Sequence, residues 1–290
     1  MNIGTIEKDT NPWQYMCERW NMFAPPGRPS KGDVKNYQEL LYKSFEGKEQ
    51  RRHNVLILGS TPEIRDMLAL DEDINVVLVD ITIDMILSMT QLMENKNDSE
   101  VWVKSNWLSV PLQDSYFDAI ISDLVICNVD RKNHGTFFDK LLKMLKPDGH
   151  WINRVYFVDG NTEIRPLDIL LDEYSKKAQI TKEDINNFRS TAGLIGWNKE
   201  EKLLDWSLLY KEMKRYIKDG RYCHPNPKAN EILEGVYELF KPFDKKYFLD
   251  TEEGNDQVFS EYFKINGRLQ DKSVIDLKEK AYYIYDLIRK

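Results

Sequence analysis

NVLILGSTPEIRDMLALDEDINVVLVDITIDMI, residues 54–86, decides the fold. Two apolar runs, VLIL at 55–58 and VVLV at 76–79, stop abruptly at Gly59 and at Asp80, with a helix-length segment between them. A strand buried on both faces reads as a continuous apolar run, so the pattern predicts a βαβ unit with parallel strands. Gly59 stands where a small residue lets the backbone approach a ligand. Asp80 follows about 20 residues later, where a carboxylate can accept the hydroxyl protons of a ribose. The unit therefore points to a nucleoside-type ligand.

Working outward, Asp80 is followed by a helical stretch, ITIDMILSMTQLMENK, a short strand, VWVKSN, and a further buried run, AIISDLVICNV. HGTFFDKLLKMLKPDG has apolar positions at helical spacing and ends in the turn Pro147-Asp148-Gly149, after which HWINRVYFV resumes a strand. Strands alternating with helices from 54 to 159 predict a doubly wound, mostly parallel α/β core. Before it, residues 1–53 hold an aromatic helix candidate, WQYMCERWNMF, the breaker APPGRPSKGD and an amphipathic stretch, VKNYQELLYKSF, with Asp33 placed to cap it. Residues 160–242 are dominated by helical periodicity and read as an inserted cap. The tail, 243–290, reads as KKYFLDT and EYFKINGRLQ forming a hairpin around EEGNDQ, followed by a final helix, SVIDLKEKAYYIYDLIRK.

The 290 residues carry a net charge of −7, with 31% charged and 41% hydrophobic residues, the composition of an ordinary globular chain. An acidic balance argues against a wide nucleic-acid-gripping face; the cluster Lys211, Lys214, Arg215 and Lys218 reads as a solvated helix face. Cys17, Cys127 and Cys223 are too few and too scattered for a disulfide framework and suggest a reducing, cytoplasmic setting. The opening residues have no apolar signal core, and no segment reaches the length of a membrane span. No two of His53, His134, His150 and His224 have metal-ligand spacing, so no metal is expected.

Residues 54–158 resemble the class I S-adenosylmethionine-dependent methyltransferases, with weaker support in the closing hairpin. VLILGSTPEI corresponds to that family's first strand and turn. VVLVDITIDMI corresponds to its second strand, acid and helix start, SNWLSVPLQDSYFDAIISDLVICNV to its Leu-Pro, Phe-Asp and fourth-strand segment, and LLKMLKPDGHWINRVY to its Pro-Gly turn and fifth strand. The first turn, Gly59-Ser60-Thr61-Pro62-Glu63, has one glycine where the family usually has two or three. Pro62 suits a first helical position, so the turn can still present backbone N–H groups. The resemblance implies a seven-stranded Rossmann-like sheet with an antiparallel terminal hairpin and S-adenosyl-L-methionine as cofactor.

It also implies roles for particular residues. Gly59 would approach the cofactor, Asp80 would hold its ribose, and Ile81 would belong to the cofactor-binding set. Asn106 and Trp107 would read and flank the adenine, and Asp123 would face the sulfonium. Each has a plainer reading too, as turn glycine, strand-end acid or core aromatic. Ser60 and Thr61 would either bond the amino-acid end of the cofactor or cap the following helix. Arg28, near Ser30, could bind the cofactor's carboxylate, with the aromatics Trp13, Tyr15, Trp20 and Tyr37 closing over the site as a lid or packing as core. His134 and Tyr156 are the candidate catalytic groups, His134 also reading as a capping residue, and Tyr156 with Arg154 as sheet-flank residues.

The expected function is methyl transfer to a small-molecule or short-peptide acceptor by in-line displacement, driven mainly by positioning. The alternative is a non-catalytic S-adenosylmethionine-binding sensor or partner protein. A nicotinamide-dependent oxidoreductase shares the βαβ unit but usually has more glycine at the first turn.

Overall fold

The computed structural model describes residues 18–48, 52–240, 245–274 and 280–290. Trp13 and Tyr15, with the rest of residues 13–17 of the first helix candidate, lie outside the described residues. The chain runs through α1 (Lys31–Phe45), β1 (His53–Leu58), α2 (Pro62–Ala69), β2 (Ile74–Asp80), α3 (Ile83–Gln91), β3 (Val101–Lys104), β4 (Phe117–Asp123), α4 (His134–Met144) and β5 (Leu145–Val158). These form a parallel sheet in the order β3-β2-β1-β4-β5. Chain direction along the sheet reverses between β1 and β4, which opens a crevice at their carboxyl ends.

The two-residue period of a strand explains why the apolar runs are continuous. Val55 and Ile57 pack on one face with α1 and α2 residues such as Tyr37, Leu41 and Leu68. Leu56 and Leu58 pack on the other with Phe137, Phe138 and Trp151. The run 55–58 is thus divided, residue by residue, between two cores.

α1 begins with a capping box. Ser30, rather than Asp33, is the N-cap: its Oγ accepts from the Asp33 N–H at 2.9 Å, and the Asp33 carboxylate accepts from the Ser30 N–H at 2.9 Å. The expected cap residue is displaced by three positions, which leaves the second Asp33 oxygen for contacts deeper in the protein.

After β5 come α5 (Leu167–Ser175), α6 (Lys182–Gly193), β6 (Trp197–Asn198), β7 (Leu203–Asp205), α7 (Trp206–Met213), β8 (Ile217–Lys218), β9 (Arg221–Tyr222) and α8 (Pro227–Phe240). Their apolar faces share a core of their own that includes Leu170, Phe188, Trp206 and Leu233. Gly193 is needed there because any Cβ would overlap the Trp206 ring.

The C-terminal expectation is corrected. KYF forms β10 (Lys246–Phe248), which pairs with β7 in a small antiparallel sheet. EEGNDQ is the start of α9 (Glu252–Tyr262), because the Thr251 hydroxyl accepts from the Gly254 N–H and Glu252 and Glu253 sit favourably in the first turn. Of the expected final helix, residues 275–279 lie outside the described residues and 280–289 form instead β12 (Lys280–Arg289), set antiparallel between β5 and β11 (Phe263–Leu269). Tyr282, Ile284, Tyr285 and Leu287 are at most 1% exposed, and aromatic and β-branched residues suit a strand buried on both faces. The result is the expected seven-stranded, mostly parallel sheet with its antiparallel hairpin. No helix among the described residues is long and apolar enough to cross a membrane.

Candidate active site

A cavity with about 1110 Å³ of empty space, counting its mouth, opens at the carboxyl ends of β1, β2 and β4. At the first turn Gly59 has φ +89°, a conformation side chains rarely adopt, and its Cβ position faces open space. Its N–H donates to the Val79 carbonyl at 2.9 Å, tying the turn to β2. Pro62 occupies the first turn of α2 as expected, with Thr61 as N-cap residue. Neither Ser60 nor Thr61 caps α2 through its hydroxyl: Thr61 makes no such bond, and Ser60 Oγ donates to Asp80 Oδ2 at 2.7 Å.

Asp80, at the end of β2, is 6% exposed and lies on the cavity wall. Its Oδ1 accepts from the Thr82 N–H at 3.1 Å. Burial raises its pKa above the ordinary carboxylate value, against the opposing pull of Ser60 and the backbone donors. Ile81 and Trp107 line the same region, and Trp107 Nε1 donates to the Val79 carbonyl at 3.0 Å. Asn106 lies outside this lining; its Oδ1 accepts from the Leu108 N–H at 2.9 Å and fixes a surface turn.

Asp123 also lines the cavity, but its carboxylate is engaged. Arg154 Nε reaches Oδ1 at 2.6 Å and Nη2 reaches Oδ2 at 3.1 Å, a two-pronged pair. Arg154 Nη1 meets Asp33 Oδ2 at 3.2 Å, and Tyr282 donates to Asp33 Oδ1 at 2.9 Å. Burial opposes the charge on Arg154, yet Asp123, Tyr156 and Asp33 hold its pKa well above the usual value. Burial raises the Asp123 pKa, and Arg154 pulls it back. Tyr37 donates to the Ser122 carbonyl at 2.8 Å and belongs to the core.

Immediately beyond, Leu124 has φ +55°, a strained setting for a branched side chain. Its carbonyl accepts from Cys127 Sγ and from Asn128 Nδ2, both at 2.8 Å, and all three residues line the cavity. The structure therefore bends the chain sharply where β4 meets the site.

The remaining candidates divide. Tyr156 lines the cavity; its hydroxyl donates to the Pro26 carbonyl, and burial pushes its pKa far above the ordinary phenol value. Trp20 and Gly27 line it too, whereas Arg28 is outside the lining, with Nε 2.5 Å from Glu63 Oε1. Ser30 serves α1 as its cap. His134 is buried outside the cavity, its Nε2 3.0 Å from the Val129 carbonyl and its ring against the edge of Phe248. Burial lowers the His134 pKa. Residues that no motif had singled out complete the wall: Cys127, Asn128, Arg189, Leu204, Trp206, Tyr247, Phe248 and Leu249. Among the described residues no cluster of His, Cys, Asp and Glu could hold a metal ion.

A family model described as a methyltransferase domain matches residues 59–153. No curated protein matches the chain. Among solved structures, the chain is similar to the PH0226 protein of Pyrococcus horikoshii, with 16% identity, TM-score 0.52, and 94% and 99% of the two chains covered. It is also similar to a Rhodobacter sphaeroides protein provisionally described as a Zn-dependent alcohol dehydrogenase, with 12% identity, TM-score 0.59, and 99% and 100% covered. An S-adenosylmethionine-dependent methyltransferase from Methanosarcina mazei has 12% identity, TM-score 0.47, and 83% and 94% covered. At such identities the likeness to the first two is one of fold. Residues 59–153 are therefore a methyltransferase domain, set in the class I S-adenosylmethionine-dependent methyltransferase fold.

Proposed function

We propose that this chain transfers a methyl group from S-adenosylmethionine to a small-molecule or short-peptide acceptor by in-line displacement. The observation that carries the reading is that one cavity joins the Gly59, Asp80 and Trp107 wall to the Tyr156, Arg189 and Trp206 wall. The first wall has the chemistry of a cofactor site: open space over Gly59, a carboxylate at Asp80, and apolar surfaces on Ile81, Met85 and Trp107. The second is drawn largely from β5 and the helices that follow it, and we take residues 160–242 as the acceptor cap. Trp20 and Phe23 support a lid role for the N-terminal region.

When bound, S-adenosylmethionine supplies an activated methyl group on a sulfonium. Asp80 would accept the ribose hydroxyl protons, and the N–H groups of the first turn would meet the polar end. The ring wall of Phe23, Trp206, Tyr247 and Phe248 would exclude water. Tyr156 keeps its proton on its hydroxyl oxygen, bonded to Pro26, and His134 faces Val129 rather than the cavity. Both candidate bases are thus committed elsewhere, which supports catalysis by positioning.

One observation favours the alternative of binding without transfer: the Ser60 hydroxyl occupies an Asp80 oxygen that a ribose would use. Titration calorimetry with S-adenosylmethionine tests the primary reading. Binding by the wild type and at least tenfold weaker binding by Asp80→Ala are expected. A wild type as inert as the variant overturns it.

A further inference from the structure

A patch of positive charge stands on this acidic chain. Between Leu208 and Arg221 there are five cations, Lys211, Lys214, Arg215, Lys218 and Arg221, against two acids, Glu212 and Asp219, in a chain whose net charge is −7. All five cations are exposed. Arg215 pairs with Glu212 at 2.7 Å and lies 4.0 Å from Asp168, and it alone of the five has an ion pair among the described residues. α7 turns Leu209 and Met213 into the core of the inserted region, while its outer face carries Leu208, 42% exposed, and Lys211 at helical spacing. The hairpin of β8 and β9 follows, turning at Asp219 and Gly220 with φ +50° and +77°. Successive strand residues point to opposite faces, yet Ile217, 39% exposed, and Lys218 both meet solvent, so β8 is not flattened against the core. The register sets Lys218 directly opposite Arg221. Like charges so placed cost stability, and packing does not explain the pair, since both side chains are exposed.

We infer that the surface formed by α7, β8 and β9 docks on an anionic lipid bilayer. Each Lys or Arg held at such a surface strengthens binding by roughly fivefold, and Leu208 and Ile217 are placed to enter the interfacial layer beside the cations. The remainder of an acidic chain is repelled by the same surface, so docking has one orientation. The two exposed aliphatic side chains favour a lipid over a nucleic acid, whose backbone gives them no apolar partner. The exposed hairpin turn suits a plane, whereas a bound peptide is seated in a groove or along a sheet edge. This inference does not depend on the methyltransferase reading.

The test sediments the full chain with vesicles of phosphatidylcholine alone and with vesicles in which about a third of the lipid is phosphatidylglycerol. The wild type should bind the anionic vesicles at least tenfold more tightly than the neutral ones, by an amount that falls as salt is raised. The double variant Lys218→Ser, Arg221→Ser should lose about 10- to 30-fold of that affinity. Because it relieves a like-charge pair, it should melt no lower than the wild type. Ile217→Ser, which keeps every charge, should also weaken binding. Equal binding of the two vesicles by the wild type, or no binding of either, overturns the inference without recourse to a variant. Anionic-vesicle affinity unchanged in the double variant overturns it too. Polyglutamate and single-stranded DNA are titrated in parallel: binding to either as tight as to the anionic vesicles, with Ile217→Ser unaffected throughout, makes the surface a general polyanion site and removes the lipid assignment.

Discussion

At the scale of single residues, Asp80 and Asp123 show how similar strand-end acids acquire different work. Both are buried and both have raised pKa values, but Asp123 is held in a two-pronged pair with Arg154 while Asp80 has only a hydroxyl and backbone N–H groups as donors. On the proposed reading, Asp80 is therefore the acid that would accept hydrogen bonds from ligand hydroxyls. Because burial raises its pKa, it takes up a proton on acidification before an ordinary carboxylate would, and the protonated form accepts fewer hydrogen bonds. Cofactor affinity should therefore fall with pH in the range just above the ordinary carboxylate pKa, and Asp80→Asn should bind weakly with a flat profile there. Calorimetry across that range checks this; a wild-type profile as flat as that of the variant contradicts it. Gly59 and Asp80 were legible in the sequence because a strand end and a turn are local events. The engagement of Asp123 and Arg28 was not, since Arg154 and Glu63 lie 31 and 35 residues away along the chain.

At the scale of elements, Arg154 is a junction. It sits on β5, pairs with Asp123 at the end of β4, and meets Asp33 in the first turn of α1, which in turn accepts from Tyr282 on β12. Removing the cation would leave two buried carboxylates to face one another. Arg154→Met should therefore lower unfolding stability by about 3–5 kcal/mol, measured by denaturant titration, and a loss under about 1 kcal/mol would contradict the junction role. The parallel strands were readable because burial on both faces makes a run uniformly apolar. β12 was misread because its apolar positions also fit a helical period; its pairing with β5, more than one hundred residues earlier, decides for a strand. α9 was misread because EEGNDQ has turn-forming composition, and only the Thr251 cap converts it into a helix start.

At the scale of the molecule, the ends of the sheet strands and the region after β5 come together around one cavity. The sheet supplies its floor from the ends of β1, β2 and β4, and the region after β5 supplies much of the opposite wall. Periodicity revealed that an extra helical region existed. It could not reveal that Arg189 and Trp206 line the cavity, because that depends on how α6 and α7 pack. The central claim, methyl transfer to a small acceptor, is tested most directly by incubating the pure chain with methyl-labelled S-adenosylmethionine and a small-molecule extract. Label should appear in at least one low-molecular-weight product, with Asp80→Ala losing at least nine-tenths of it. Cofactor binding with no labelled product from any extract would contradict the claim.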